Sequence, residues 1–161
     1  MEINVMALIT VAVLILLSIL PVWIINKKRK NKEKKDLQSL LNFAEKNQCR
    51  ISEHQLFNQI VIGLDRQARK LFFIRTSPEH PAEQQIDLAL YKKCRMEETG
   101  RPGNNGHVID KIGLLFMPAQ TGQKEATLIL YDTDYDNLTL SGEIQFAEKW
   151  ANLINDLLKQ N

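Results

Sequence analysis

Cysteine, histidine and glycine are scarce in this chain, and each shortage removes a class of function. The two cysteines, Cys49 and Cys94, stand alone, with no CxxC and no histidine at metal-ligand spacing. They build neither a disulfide framework nor a thiolate metal site. The three histidines, His54, His80 and His107, are scattered and share no ligand spacing. The glycines between Gly100 and Gly106 lack the flanking strand, Lys and Ser/Thr of a phosphate loop. No GxSxG or Cys/His nucleophile pattern is present, and no segment repeats. No catalytic residue and no cofactor is therefore assigned. An enzyme of unrecognised class stays open as an alternative.

Charge is also missing from one long stretch. Val5 to Ile25 is a run of 21 residues without a charged side chain, interrupted only by Thr10, Ser18 and Pro21. As a helix it is about 31 Å long, the thickness of a hydrocarbon core. A cleaved signal peptide would have a positive region before a shorter apolar core, whereas only Glu2 precedes this run. The pattern predicts an uncleaved transmembrane anchor over residues 1–26, with Trp23 at the interface.

Charge returns at once. Lys27, Lys28, Arg29, Lys30, Lys32, Lys34 and Lys35 occupy seven of the next nine positions. Beside an anchor, this block predicts a single-pass protein of a bacterial inner membrane, with the N-terminus outside and the C-terminal domain cytoplasmic. It also predicts a surface for anionic lipid headgroups, at about 1 kcal/mol per basic residue. The competing reading of a lysine run, a nucleic-acid tail, is not adopted.

The whole chain has a formal charge of +2, but the 14 basic and 17 acidic residues beyond Lys35 leave that part at −3. The basic balance belongs to the block and not to a nucleic-acid-binding domain. Residues 27–47 read as a basic segment and linker helix, and residues 48–161 as one soluble domain large enough for its own core. Cys49 and Cys94 are expected to be reduced and partly buried.

From Asp36, the residues Leu37, Leu40, Leu41 and Ala44 recur at helical spacing, with Asn47 as a left-handed stop. This segment predicts a spacer that packs on the domain, and it is too short for a coiled coil by itself. Strand patterns follow at Leu56 to Leu64 and Lys70 to Arg75, joined by a polar turn. Gly63 within the first signals a bulge or a close backbone approach. A short strand or turn is expected at Ile86 to Tyr91, then strands at Lys92 to Thr99, Val108 to Met117 and Ala126 to Asp132. A loop is expected over Gly100 to Gly106. Phe146, Trp150, Leu153 and Leu157 form the stripe of a closing helix from about Glu143 to Lys159, capped by Ser141.

The order predicts an α+β domain: an antiparallel barrel or sandwich of six or seven strands, closed by a C-terminal amphipathic helix. That order, with Trp150 in the last helix, resembles the pleckstrin-homology-like superfold over roughly residues 48 to 160. The stretches Ile62-Gly63-Leu64-Asp65, Lys70-Leu71-Phe72-Phe73, Gly142-Glu143 and Ala147-Glu148-Lys149-Trp150 also resemble uncharacterised single-pass membrane-anchored bacterial proteins. The resemblance implies a fold and no activity.

Three candidate sites remain. Asp132, Asp134, Asp136 and Glu143 fall at positions 1, 3, 5 and 12 of a calcium-loop pattern. Asn137 stands where Gly is usual, and a strand precedes the loop where a helix is required, so an acidic solvated turn is the preferred reading. Arg66, Arg69 and Lys70 lie at the first hairpin, where the resembling superfold places headgroup-binding cations. Lys92, Lys93 and Arg95 form a second basic edge or a guard against edge pairing. The leading expectation is a membrane-tethered, non-catalytic interaction module with a protein partner, held at a sheet edge or beside the closing helix. The alternative is a sensor of lipid headgroups or calcium.

Overall fold

The computed structural model describes residues 5–103, 106–134, 136 and 139–160. By contacts the chain divides into Met1–Gln38 and Ser39–Asn161. The first helix, α1, runs unbroken over Val5–Lys46, with Pro21 inside it. Among the described residues seven strands follow: β1 Glu53–Phe57, β2 Ile60–Asp65, β3 Lys70–Arg75, β4 Ala82–Asp87, β5 Tyr91–Gly103, β6 Gly106–Pro118 and β7 Ala126–Asp132. A 3-10 turn, Leu88–Leu90, joins β4 to β5, and α2 spans Glu143–Leu158.

The anchor expectation is corrected here. Among the described residues no helix is long and apolar enough to cross a membrane. The single-pass anchor, the bacterial inner-membrane location, the outward N-terminus and the cytoplasmic domain therefore lose their basis. So does the membrane-tethered module with a protein partner.

The α+β class holds, with seven antiparallel strands before the last helix, but the closed barrel does not. The strands form two open sheets, ordered β1-β2-β3-β4 and β5-β6-β7. The physical reason lies at the sheet edges, where side chains meet backbone groups that a barrel would pair with another strand. On β5, the Asn155 carboxamide of α2 accepts from the Cys94 N–H at 2.8 Å and donates to its carbonyl at 2.7 Å. On β7, Arg75 donates to the Ile129 carbonyl at 2.7 Å, beside a register shift between Ile112 and Gly113. Between β4 and β5, Asp87 caps the 3-10 turn by accepting from Ala89 N–H, which ends the first sheet before the second begins.

Local boundaries moved for equally specific reasons. The single strand expected over Leu56 to Leu64 is split by a turn at Asn58 and Gln59, where Asn58 takes φ 52°. The loop expected over Gly100 to Gly106 is largely strand, because β5 and β6 continue pairing out to Gly103 and Gly106. The left-handed stop after α1 falls on Gln48 (φ 57°) and not on Asn47. Asn47 instead donates from its side chain to the Phe43 carbonyl at 2.8 Å.

The core lies between the sheets and α2. Ile60, Ile62, Leu64, Leu71 and Phe73 from the first sheet meet Leu114, Phe116, Leu128, Phe146, Trp150 and Ile154. Their alternation along the strands is the pleat period that puts one face inward. The opposite face of the first sheet is covered too. Val61, Phe72 and Ile74 are buried there, as are Leu40 and Ala44 in the last turns of α1. Phe43 meets Phe72 edge-on at 5.3 Å. Gly63 permits this approach: a Cβ there would lie 2.7 Å from a Leu40 methyl and 3.2 Å from Ile51. From Leu40 onward the end of α1 thus packs on the first sheet, and Gly63 is a close-approach glycine.

Candidate anionic-surface site

The basic block sits inside α1, so helix geometry arranges it. All nine residues 27–35 are exposed. Its one acidic member, Glu33, accepts from Arg29 at 3.0 Å, one turn apart. Lys28, Lys32 and Lys35 fall at i, i+4 and i+7, which is one helix face. With Asn31, Lys34 and Gln38 they line an open groove. On the N-terminal side, Lys27 places its ammonium 5.0 Å from the centre of the Trp23 ring, a cation-π contact. Trp23 is itself 60 % exposed, and Ile24 and Ile25 beside it are exposed as well. The surface therefore passes within one turn from apolar and aromatic to cationic.

The acidic loop is arranged differently from a cation cage. Asp132 meets Lys111 at 2.7 Å through one oxygen and accepts from the Asp134 N–H through the other. Asp136 accepts from Arg75 at 3.0 Å and from the Asp132 N–H at 2.9 Å. Glu143 accepts from Asn58, at 2.9 Å, and from the backbone and hydroxyl of Ser141. Asp132, Asp136 and Glu143 thus serve separate protein partners, while Asp134 lies at the exposed end, 4.0 Å from Lys111. Among the described residues no group of three or more His, Cys, Asp or Glu side chains could hold a metal ion. Ser141, expected as the cap of α2, instead anchors Glu143, and Gly142 takes the N-cap position at φ 120°.

This network is structural. Arg75 is 3 % exposed, so its charge is buried and must be matched. Asp136 and the Ile129 carbonyl do this, and they tie β3 to β7 and the loop after it. The neighbouring Tyr131 hydroxyl is held above its ordinary range by burial and then by the negative charges of Glu143, Asp136, Asp110 and Asp132.

The first hairpin is not an open cationic tip either. Arg66 is bound to Glu53 across the strand pair. Arg69 is half-buried in the left-handed region (φ 54°), and its carbonyl accepts from Leu88 N–H. Lys70 pairs opposite Asp87 in the β3-β4 ladder. The turn is organised by Asp65, which accepts from the N–H groups of Arg50, Gln67 and Ala68 at 2.7–2.9 Å. Burial opposes its ionisation, but those three N–H groups and nearby Lys70 outweigh burial and hold the carboxyl below its usual range. Nothing in the sequence pattern singled out Asp65 beyond its place in a polar turn.

Lys92, Lys93 and Arg95 are exposed along β5, and Arg95 meets Glu97 at 3.7 Å. Cys49 and Cys94 are free thiols. Cys94 is 1 % exposed and its pKa is pushed up to about 12 by burial, which makes it inert as a nucleophile at neutral pH.

No family model matches the chain, and the comparisons with curated proteins and with solved structures give no match.

Proposed function

We propose that this protein is a binding module for anionic lipid surfaces, which it contacts through Lys27, Lys28, Arg29, Lys30, Lys32, Lys34 and Lys35. The observation that carries the reading is the local charge density. Seven basic side chains crowd nine exposed residues of one helix, whereas the chain beyond them is net negative. Such a block gains electrostatic energy within a Debye length, about 8 Å at physiological salt, of a negatively charged lipid surface. The residues beyond Lys35 are net negative and gain nothing from such a surface, so the block is the part of the chain that contacts it. The reading concerns headgroup contact and uses no membrane-spanning helix.

Flotation of the full chain with vesicles tests it. Binding to vesicles containing a singly charged anionic phospholipid should exceed binding to neutral phosphatidylcholine vesicles. The excess should fall steeply as salt is raised, because exposed charges are screened. A variant with all seven basic residues changed to Gln should lose the excess while its domain stays folded. Equal binding of the parent chain to charged and neutral vesicles overturns the reading.

A further inference from the structure

The turn of α1 just before the basic block exposes three large apolar side chains: Trp23 by 60 %, Ile24 by 45 % and Ile25 by 63 %. On a helix, residues four apart share a face. Lys27 therefore follows Trp23, Lys28 follows Ile24 and Arg29 follows Ile25, so each apolar side chain has a cation one turn beyond it. The first pair is in contact, with the Lys27 ammonium 5.0 Å from the centre of the Trp23 ring. No acidic residue lies within four positions of Lys27 or Lys28. Arg29, by contrast, is paired with Glu33 at 3.0 Å. A bilayer offers partners for both halves of this arrangement within a few ångströms: phosphates, and just beneath them the apolar boundary where Trp rings settle. A lysine can keep its ammonium at the phosphates while its stem and the ring beside it leave water. A soluble polyanion offers phosphates alone, and exposed apolar side chains gain nothing from it.

We infer that Trp23, Ile24 and Ile25 enter the headgroup–acyl boundary when the basic block meets an anionic bilayer, so that the protein distinguishes a lipid surface from a soluble polyanion of the same charge. This rests on the lipid-surface reading and sharpens it to a partner class. Charge complementarity brings Lys27 and Lys28 to the phosphates, and continuity along one helix turn brings the three apolar side chains to the same surface. The inserted part is a single turn and crosses no bilayer, which takes about 20 apolar residues.

Intrinsic fluorescence of the full chain reads this, because its two indoles differ: Trp150 is 2 % exposed in the core, whereas Trp23 is at the surface. The chain is titrated with neutral phosphatidylcholine vesicles, with vesicles that also contain phosphatidylglycerol, and with inorganic polyphosphate. The phosphatidylcholine carries bromine on its acyl chains, which quenches only an indole that reaches the apolar layer. Phosphatidylglycerol vesicles should bind and quench. Trp23→Ala should remove the quenching, keep the Trp150 emission and weaken binding to those vesicles about tenfold, the worth of one large apolar side chain leaving water. Its affinity for polyphosphate should be unchanged. Binding to the charged vesicles above the neutral ones without quenching overturns the insertion and leaves the lipid-surface reading standing. Equal binding to charged and neutral vesicles overturns both. Quenching that survives Trp23→Ala overturns the assignment to this turn. An equal loss of vesicle and polyphosphate affinity in Trp23→Ala shows that the ring acts only by holding Lys27, and overturns the insertion.

Discussion

The two long helices are both rich in apolar residues, yet those residues meet opposite fates. In α2, Phe146, Trp150, Ile154 and Leu157 recur every three or four positions and are buried, with Trp150 only 2 % exposed. In the first part of α1, Leu14, Ile15, Leu17, Trp23 and Ile25 are each more than half exposed. A stripe can turn its whole apolar area towards one partner surface, and the two sheets supply that surface. A continuous run has no single side to hide. The last turns of α1 return to the periodic pattern, and there Leu40 and Ala44 are again buried. Apolar content alone did not decide burial. Period, and a matching face opposite, did.

The sharpest way to break this comparison is at the centre of α2. Trp150→Ala should cost about 3–5 kcal/mol, from lost burial plus a residual cavity. It also removes the indole donor that meets Gln55 at 3.2 Å. Urea unfolding of the full chain, followed by far-ultraviolet dichroism, measures it. A loss below about 1 kcal/mol would mean that the stripe does not anchor the fold.

Next in size is the charge clamp between the sheets. Asp136→Ala leaves Arg75, 3 % exposed, without this carboxylate, and should cost about 3 kcal/mol. The same variant should not respond to added calcium, and neither should the parent chain, because the loop carboxylates already serve protein partners. A calcium-dependent rise in melting temperature that disappears in Asp132→Ala would restore the ion-site reading.

Asp65 should show a smaller, pH-dependent effect. Its folded pKa lies below the unfolded value, so its stabilisation is complete above about pH 4 and is lost as pH falls through the folded pKa. Asp65→Asn should cost about 2 kcal/mol at neutral pH and flatten the acid limb of the stability profile. Parallel acid limbs in the two proteins would show that the three N–H groups contribute nothing special to the charged form.

The thiols give a readout with the least perturbation. Cys49 is half-buried and Cys94 is sealed beneath α2, so a thiol reagent at neutral pH should titrate one group in the native protein and two in denaturant. Raising the pH has a predictable sign. The unfolded Cys94 thiol ionises first, near pH 8.5, while the folded one resists to about 12, so stability should decline between these values. Fast labelling of both thiols in the native state would show that α2 opens readily.

The sequence by itself determined the periodic elements and the charge map. The apolar, β-branched or aromatic runs of β2, β3 and β7, the stripe of α2 and the lysine block were all legible, because residue type and spacing mark them along the chain. The close approach at Gly63 was legible for the same reason that glycine is informative anywhere: it lacks the atom that would block it. The tertiary structure alone decided the rest. Whether seven strands close into a barrel depends on which groups meet the edge backbone, and Asn155 and Arg75 come from elements distant in the chain. Whether Asp132, Asp134, Asp136 and Glu143 converge on a cation depends on Lys111, Arg75 and Asn58, which only folding brings beside them. Spacing along the chain specifies which direction a group faces. Only the partners that arrive from elsewhere specify what it finds there.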